Sequence, residues 1–247
     1  FYTYFAADIA YHRNKLEERG FQTAINIWGA DHHGHVARLQ AALDGLGLDG
    51  SHRLVVVLMQ LVNLLRDGKP ERMSKRSGKA IALRDLLDEV SVDACRYFFN
   101  SRTFTSPLDF DLGLAVREDS ENPVYYVQYA HARICSLIAR MREEGAQVPR
   151  AAEIDAAVMT TPEELALMKT LSQLPEEIRL ASRDYDPSHV NRYLLSLAGD
   201  FHRFYNACHI RGEEQAVLTA RLKLADTVRS VLANCLALIG VTAPEKM

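Results

Sequence analysis

The first fifty positions alternate between amphipathic stretches and a short apolar run. Residues 8–19 are amphipathic at helical spacing and end before Gly20, which predicts a helix. Residues 23–28 are apolar enough to predict a buried strand, and residues 35–46 return to helical spacing. Helix, strand and helix in this order indicate the end of a doubly wound parallel sheet.

The pattern changes twice further along the chain. In the middle, apolar runs predict two strands, at residues 54–65 and 80–83. Amphipathic stretches then predict two helices, at residues 83–90 and 91–100. From about residue 117 the spacing is helical almost throughout, with predicted helices at residues 123–144, 162–174, 174–183, 187–208 and 213–239. Residues 145–160, with Gly145 and Pro149, are typical of a linker. The expected fold class is therefore α/β plus all-α.

Composition places the chain among ordinary globular proteins. Hydrophobic residues make up 48% of its 247 residues, charged residues 25%, and the net charge is −3. The four cysteines are far apart and form no Cys-x-x-Cys pair, which favours reduced thiols in a cytosolic protein. The sequence shows neither a membrane-spanning apolar run nor a secretory leader.

One segment has a charge opposite to that of the whole chain. Residues 66–84 contain seven basic residues and only two acidic ones, and the segment includes Ser77 and Gly78. A strongly positive loop with glycine suits a polyanion such as a nucleoside triphosphate. A solvated surface turn is the alternative interpretation.

The order of residues in this loop is informative. Arg72-Met73-Ser74-Lys75-Arg76 resembles the KMSKS loop of class I aminoacyl-tRNA synthetases, although Arg72 and Arg76 depart from that motif. The resemblance implies ATP and Mg²⁺ as cofactors, with Met73 and Ser74 at the ATP site. It also implies that Lys75, helped by Arg72 and Arg76, stabilises the polyphosphate during catalysis, a role that suits fixed positive charges.

A second motif follows the first predicted strand. Gly29-Ala30-Asp31-His32-His33-Gly34-His35 lies where open α/β sheets bind ligands. It resembles the class I synthetase segment whose acidic residue holds the ribose of ATP, which implies that Gly29, Asp31 and His32 bind ATP. A metal site formed by Asp31 and the three histidines is one alternative. Helix capping and packing are another.

Near the start, Tyr4 and Asp8 stand four residues apart, on one face of a helix. A carboxylate beside a tyrosine suits a guanidinium group. The pair resembles the arginine-recognising residues of arginyl-tRNA synthetases, which implies that Tyr4 and Asp8 bind arginine. The alternative is that Asp8 is an ordinary residue at a helix start and Tyr4 belongs to the core.

Three segments of the helical zone resemble the anticodon-binding part of the same family, namely residues 122–133, 201–208 and 238–247. Single-stranded RNA bases are bound by aromatic stacking and by basic side chains. The expected tRNA-binding residues are Tyr125, Tyr129, Arg133, Tyr205, Asn206 and Met247. Core packing is the alternative for the tyrosines.

Together, these motifs resemble the C-terminal portion of a bacterial-type arginyl-tRNA synthetase. The resemblance implies three parts: the remainder of a Rossmann-like catalytic domain (residues 1–50), a region with the KMSKS-like loop (51–116) and a helical anticodon-binding domain (117–247). It also implies L-arginine and tRNA as partners, a cytoplasmic location, a monomer and no membrane.

The HIGH-type motif of class I enzymes is missing, so the chain alone is expected not to charge tRNA. Two alternatives remain: a class I synthetase for another amino acid, such as cysteine, and a non-catalytic RNA-binding module.

Overall fold

The computed structural model describes residues 3–71 and 82–247. The chain divides into two compact units. The first, called here the α/β unit, contains the residues up to Asn63 together with Phe104–Asp109. The second, the helical unit, contains Leu64–Thr103 and Phe110–Met247.

The α/β unit is built around two parallel strands. Its elements are α1 (Tyr4–Arg13), β1 (Ala24–Gly29), α2 (His33–Gly45), α3 (Gly50–Arg53) and β2 (Leu54–Met59). The strands pair in register from Ala24 opposite Leu54 to Gly29 opposite Met59. This confirms the predicted helix, strand and helix, and the parallel pairing expected of a doubly wound sheet.

The boundaries of the first helix differ from the prediction. It starts at Tyr4 rather than Asp8, and after Arg13 it continues as a π-helical turn, Asn14–Glu18. Gly20 then adopts a positive φ of 68°, as expected for a glycine that ends a helix. The early start places Tyr4 and Asp8 in the same regular helix.

Within residues 3–71 and 82–247, packing covers one face of β1 and leaves the other exposed. Leu16, Leu39, Leu43 and Leu54 form a core with Ala24 on one side of the strand pair. On the opposite face of β1, Ile25 and Ile27 are exposed in the part of the chain that the structure describes. The prediction of a buried strand was therefore wrong for this face, because an apolar run does not show how many layers cover it.

The apolar run 54–65 is also two strands rather than one. β2 ends at Met59, and β3 (Val62–Arg66) belongs to a different sheet, with the order β4-β3-β5. β4 (Lys69–Pro70) returns antiparallel to β3 after a turn in which Asp67 and Gly68 have positive φ angles of 52° and 74°. Two such residues are typical of a type I′ hairpin turn. β5 (Leu108–Asp111) was not predicted from the sequence.

Two short helices follow the loop. α4 (Leu83–Leu87) and α5 (Val92–Phe99) match the two predicted helices, with Ser91 accepting a hydrogen bond from the amide of Ala94 at the start of α5. Of the strand predicted at 80–83, residues 80 and 81 lie outside the described residues, and Leu83 is helical rather than extended.

The rest of the helical unit confirms the predicted bundle to within a few residues. After the short α6 (Leu112–Ala115), its helices are α7 (Pro123–Glu143), α8 (Pro162–Ser172), α9 (Leu174–Asp184), α10 (Ser188–Ala207) and α11 (Gln215–Leu238). Asn122 and Thr161 cap α7 and α8, each followed by proline at the first helical position. The predicted linker contains only short 3₁₀ turns. Among the described residues, no helix is long and apolar enough to cross a membrane.

Candidate functional sites

A cavity of about 370 Å³ opens in the α/β unit. Its lining combines residues of α1, of β1 and of the segment that follows it, namely Tyr4, Phe5, Asp8, Trp28, His32, His35 and Leu39. The volume is in the range of small-molecule sites. The structure thus brings the predicted Tyr4, Asp8 and His32 to one cavity.

The walls of this cavity are largely aromatic. The Trp28 and His32 rings meet edge to face with centroids 6.3 Å apart, and the rings of His35 and Phe5 are 6.2 Å apart. Tyr4 is 94% exposed, so it is not the core residue of the alternative interpretation. An open cavity with flat apolar walls suits a planar ligand group.

The Asp8 carboxylate is available for a ligand. Its backbone carbonyl lies 2.7 Å from Nδ1 of His12, but no side chain in residues 3–71 or 82–247 pairs with its carboxylate. An exposed, unpaired carboxylate beside aromatic rings can accept a bidentate guanidinium group.

Asp31 lies at the end of β1 but does not line the cavity. Its side chain is largely exposed, and one carboxylate oxygen is 3.7 Å from Nε2 of His32. A Cβ atom on Gly29 would lie 2.5 Å from the other Asp31 oxygen, so the glycine leaves room for this carboxylate. Gly29, Asp31 and His32 therefore stay close together, as a loop that could contact one ligand.

The histidine-rich segment does not form a metal centre in the described part of the chain, where no three His, Cys, Asp or Glu side chains converge. His33 instead turns back to within 3.3 Å of the carbonyl oxygen of Ala30. The predicted loop residues Arg72, Met73, Ser74, Lys75 and Arg76 lie outside the described residues.

An aromatic surface occupies one side of α7 and α10 in the helical unit. Tyr125 and Tyr129 are stacked with an interplanar angle of 7° and centroids 6.2 Å apart. The Arg133 guanidinium lies 3.9 Å from the centre of the Tyr205 ring and 6.0 Å from that of Tyr129. Because these helices bring a cation and three rings together, the surface has the chemistry that stacks unpaired bases.

The predicted residues do not all belong to this surface in the same way. Tyr129 is exposed, whereas Tyr125, Arg133 and Tyr205 are half-buried, and Asn206 is exposed beside Tyr205. Tyr126, the neighbour of Tyr125 on α7, packs on His202 with ring centroids 4.7 Å apart.

His202 is the residue that sequence reasoning missed. Its ring is stacked 6.1 Å from that of Tyr129, and its Nε2 atom is buried without a hydrogen-bond partner among the described residues. Burial lowers the pKa of His202, and the positive charge of Arg133 lowers it further. The ring is therefore neutral at pH 7 and acts as a flat apolar support under the tyrosines. The only signal in the sequence was its position among the aromatic residues at 201–205.

Met247 contributes to a second cavity of the helical unit, of about 350 Å³. Tyr125 and Gln128 of α7 line it together with Ser91 and Arg117. Tyr125 thus lines this cavity and also stacks with Tyr129. The predicted residues Tyr125 and Met247 meet here although they are far apart in sequence.

Part of the helical unit matches a known protein family. Residues 127–247 match the model of the DALR anticodon binding domain. The matched segment begins inside α7 and includes α8–α11, so it contains Tyr129, Arg133 and Tyr205.

Curated relatives match along nearly the whole chain. The arginine–tRNA ligases of Ruminiclostridium cellulolyticum and Acetivibrio thermocellus are 55% and 53% identical over 245 residues. In each case the match covers 99% of this chain and 43% of the relative. The chain thus spans less than half the length of these relatives.

Solved structures also match nearly the whole of this chain. A Campylobacter jejuni structure described as an arginyl-tRNA synthetase is 37% identical with a TM-score of 0.88, over 99% of this chain and 52% of that one. Thermus thermophilus arginyl-tRNA synthetase, at 22% identity and a TM-score of 0.84 over 100% of this chain and 50% of its own, shares the fold.

A parallel α/β unit and a helical unit with an anticodon binding domain define the C-terminal portion of a class I aminoacyl-tRNA synthetase. Within that class, the chain corresponds to the C-terminal portion of the arginyl-tRNA synthetases.

Proposed function

We propose that this chain serves an arginine–tRNA ligase, which activates arginine with ATP and transfers it to tRNA. In this reaction the arginine carboxylate attacks the α-phosphorus of ATP and pyrophosphate leaves. The terminal ribose hydroxyl of tRNA then attacks the activated carbonyl carbon and AMP leaves. This portion would supply part of the arginine and ATP sites, the KMSKS-like loop and anticodon recognition.

The cavity of the α/β unit is the observation that carries the proposal. Asp8 offers a carboxylate that no described side chain pairs with, and Tyr4 lies four residues earlier on the same helix. A guanidinium group would gain two charge-assisted hydrogen bonds from the carboxylate and could stack on the nearby rings. His32 lines the same cavity beside Asp31, whose exposed carboxylate suits the ribose hydroxyls of ATP.

The loop chemistry rests on the sequence alone. Lys75, with Arg72 and Arg76, would stabilise the negative charge that grows on the leaving pyrophosphate. Mg²⁺ would enter bound to the phosphates of ATP, as is usual for this ion. Each of the three parts would then have its own role. Residues 1–50 would contribute to the arginine and ATP sites, residues 51–116 would supply the KMSKS-like loop, and residues 117–247 would bind the anticodon.

The first test is aminoacylation by the full-length parent protein with each of the twenty amino acids. We expect arginine alone to be attached, and only to arginine-accepting tRNA. Attachment of a different amino acid would contradict the role of Asp8. Binding of tRNA without attachment of any amino acid would indicate an RNA-binding module instead.

The second test distinguishes a specific effect on arginine binding from a general loss of structure. In the parent protein, Asp8→Asn should raise the KM for arginine about 10- to 100-fold, as expected for lost hydrogen bonds to a charged group. The KM for ATP should change much less. Glu17→Gln, an exposed carboxylate of the adjoining π-helical turn, is the matched control and should leave both constants unchanged.

A further inference from the structure

The segment after α11, residues 241–247, is fastened to two other helices. α11 ends in a turn in which the amide of Val241 donates to the carbonyl of Leu236 and that of Gly240 donates to Ala237. Gly240 has a φ of 70° and Val241 is buried, so this is a Schellman motif with its usual apolar contact. The turn directs the chain back along α5 and α7. We call residues 241–247 the tail.

A cluster of hydrogen bonds then holds the tail at Thr242. The Thr242 amide donates to Oδ1 of Asp93 across 3.2 Å, and the Thr242 hydroxyl donates to Oδ2 of the same carboxylate. Nε2 of Gln128 donates both to Oδ2 of Asp93, at 2.8 Å, and to the carbonyl oxygen of Thr242, at 2.9 Å. Asp93 belongs to the first turn of α5, and Gln128 belongs to α7.

A second attachment lies two residues further on. Nδ1 of His131, which is buried in α7, donates to the carbonyl oxygen of Pro244 across 2.9 Å. Beyond this point Met247 reaches the cavity that Tyr125 and Gln128 also line. Four side chains from α5, α7 and the tail itself therefore hold the segment that leads to Met247.

We propose that Asp93, Gln128, His131 and Thr242 are positioning residues that hold the tail so that Met247 forms one wall of an RNA-base cavity with Tyr125. This inference rests on the proposed anticodon recognition. A seven-residue segment without attachments would lose about 1–2 kcal/mol of conformational freedom per residue on ordering. Attachment before binding removes that cost, because RNA affinity scales with the fraction of molecules whose tail is already in place.

The chemistry of the cluster favours such a role over simple packing. Thr242 is exposed, so its bonds to Asp93 contribute little apolar burial. Charge-assisted hydrogen bonds are stronger and more directional than neutral ones, which suits the placement of one segment. The partners Asp93 and Thr242 come from positions 149 residues apart, so local geometry does not impose the contact.

The test measures binding of an RNA hairpin with an arginine anticodon in its loop to the 247-residue chain. A hairpin with a different anticodon is the reference probe. Thr242→Val keeps the shape of the side chain and removes the hydroxyl donor. We expect about tenfold weaker binding, in line with the loss of one hydrogen bond to a charged group. Thr242→Ser keeps the donor and should bind like the unchanged chain.

The control is Thr219→Val in α11, which removes the hydroxyl of a half-buried threonine whose bonds, within the described part of the chain, go to the nearby backbone carbonyls of Gln215 and Ala216. It should leave RNA affinity unchanged. Thermal unfolding of all variants should show similar midpoints, since a structural defect would lower the midpoint as well as the affinity.

A double-mutant cycle with Met247→Ala tests the mechanism. If Thr242 acts through the position of Met247, Thr242→Val should weaken binding by less than about twofold in the Met247→Ala chain. Losses that multiply, or normal binding by Thr242→Val, would overturn the inference while leaving anticodon binding intact. No anticodon-dependent binding by the unchanged chain would reject the proposed recognition, and the inference with it.

Discussion

His12 connects α1, the helix of Asp8, to strand β1 of the α/β unit. Nδ2 of Asn26 donates to Nε2 of His12 across 2.8 Å, and Nδ1 of His12 lies 2.7 Å from the carbonyl oxygen of Asp8. Because a carbonyl only accepts, Nδ1 carries the proton and Nε2 accepts from the amide. His12 and Asn26 are both buried, and their hydrogen bond joins α1 to β1.

We expect Asn26→Leu to destabilise the α/β unit by about 1–3 kcal/mol, because Nε2 of His12 would be left buried without a donor. Trp28, the only tryptophan of the chain, lies two residues away on β1 and reports on this unit through its fluorescence. Urea unfolding followed at Trp28 would measure the change. Asn63→Leu, which removes an exposed hydrogen bond to Asp109, is the control and should have little effect.

The ion pair between Arg221 and Glu164 holds α11 to α8. Nε of Arg221 lies 2.6 Å from Oε1 of Glu164, and both side chains are buried. Burial alone would raise the pKa of Glu164, but the hydrogen bonds from Arg221 and Thr161 outweigh it and lower the pKa.

Arg221→Met should therefore lower the free energy of unfolding of the helical unit by about 3–5 kcal/mol, since a buried carboxylate would lose its partner. Replacing Glu164 by Gln in the same chain should restore part of the loss. The measurement is urea unfolding followed by circular dichroism. Arg229→Met, on the same helix and partly exposed in its pair with Asp226, should cost less than about 1 kcal/mol. Equal losses from the two arginines would contradict this account.

His202 should make the helical unit less stable in mild acid. Its pKa is lowered in the folded chain, so the unfolded chain binds more protons as the pH falls through about 6.5, the usual value for histidine. The contribution of His202 to the free energy of unfolding should be fully present above that pH. It should decrease as the pH falls below that value, with a slope of at most about 1.4 kcal/mol per pH unit. His202→Gln should flatten the dependence, whereas His209→Gln, at an exposed position, should not.

Tyr129 should contribute more to RNA binding than its exposure alone would indicate. Tyr129→Ala removes the ring between Tyr125 and His202 and should cost about 1–3 kcal/mol of binding free energy, the usual value for a stacked base. Tyr185→Ala is a closely matched control, because Tyr185 is 42% exposed and Tyr129 is 40% exposed. Tyr185 lies at the end of α9, outside the aromatic surface of α7 and α10. Equal binding by both variants would contradict the role of the aromatic surface.

Much of the fold followed from local patterns in the sequence. Helical spacing predicted the long helices of the bundle, because each buries one stripe of apolar residues. The structure shows Asn122 and Thr161 capping the starts of two of them. The apolar run 54–65 misled the prediction, because strand identity depends on which neighbour each half pairs with, and β2 and β3 pair in different sheets.

The candidate sites could be predicted only in part. Tyr4 and Asp8 share a helix face, so their spacing was enough to group them. That His32 and Trp28 line the same cavity depends on the packing of α1 against α2 and β1. His202 was missed because a buried histidine beside a tyrosine is defined by the contact of α10 with α7, which no sequence spacing encodes.

The sequence by itself therefore determined the kinds of element, the positive loop, the short motifs and, through those motifs, the family. Each of these depends on residues that are close together in the chain. Only the tertiary structure decided that Tyr129 faces solvent while Tyr126 packs on His202, and that Thr242 is bonded to Asp93. A helical period shows that a face is covered but not what covers it, because hydrogen bonds and stacking between distant residues exist only after the helices have packed.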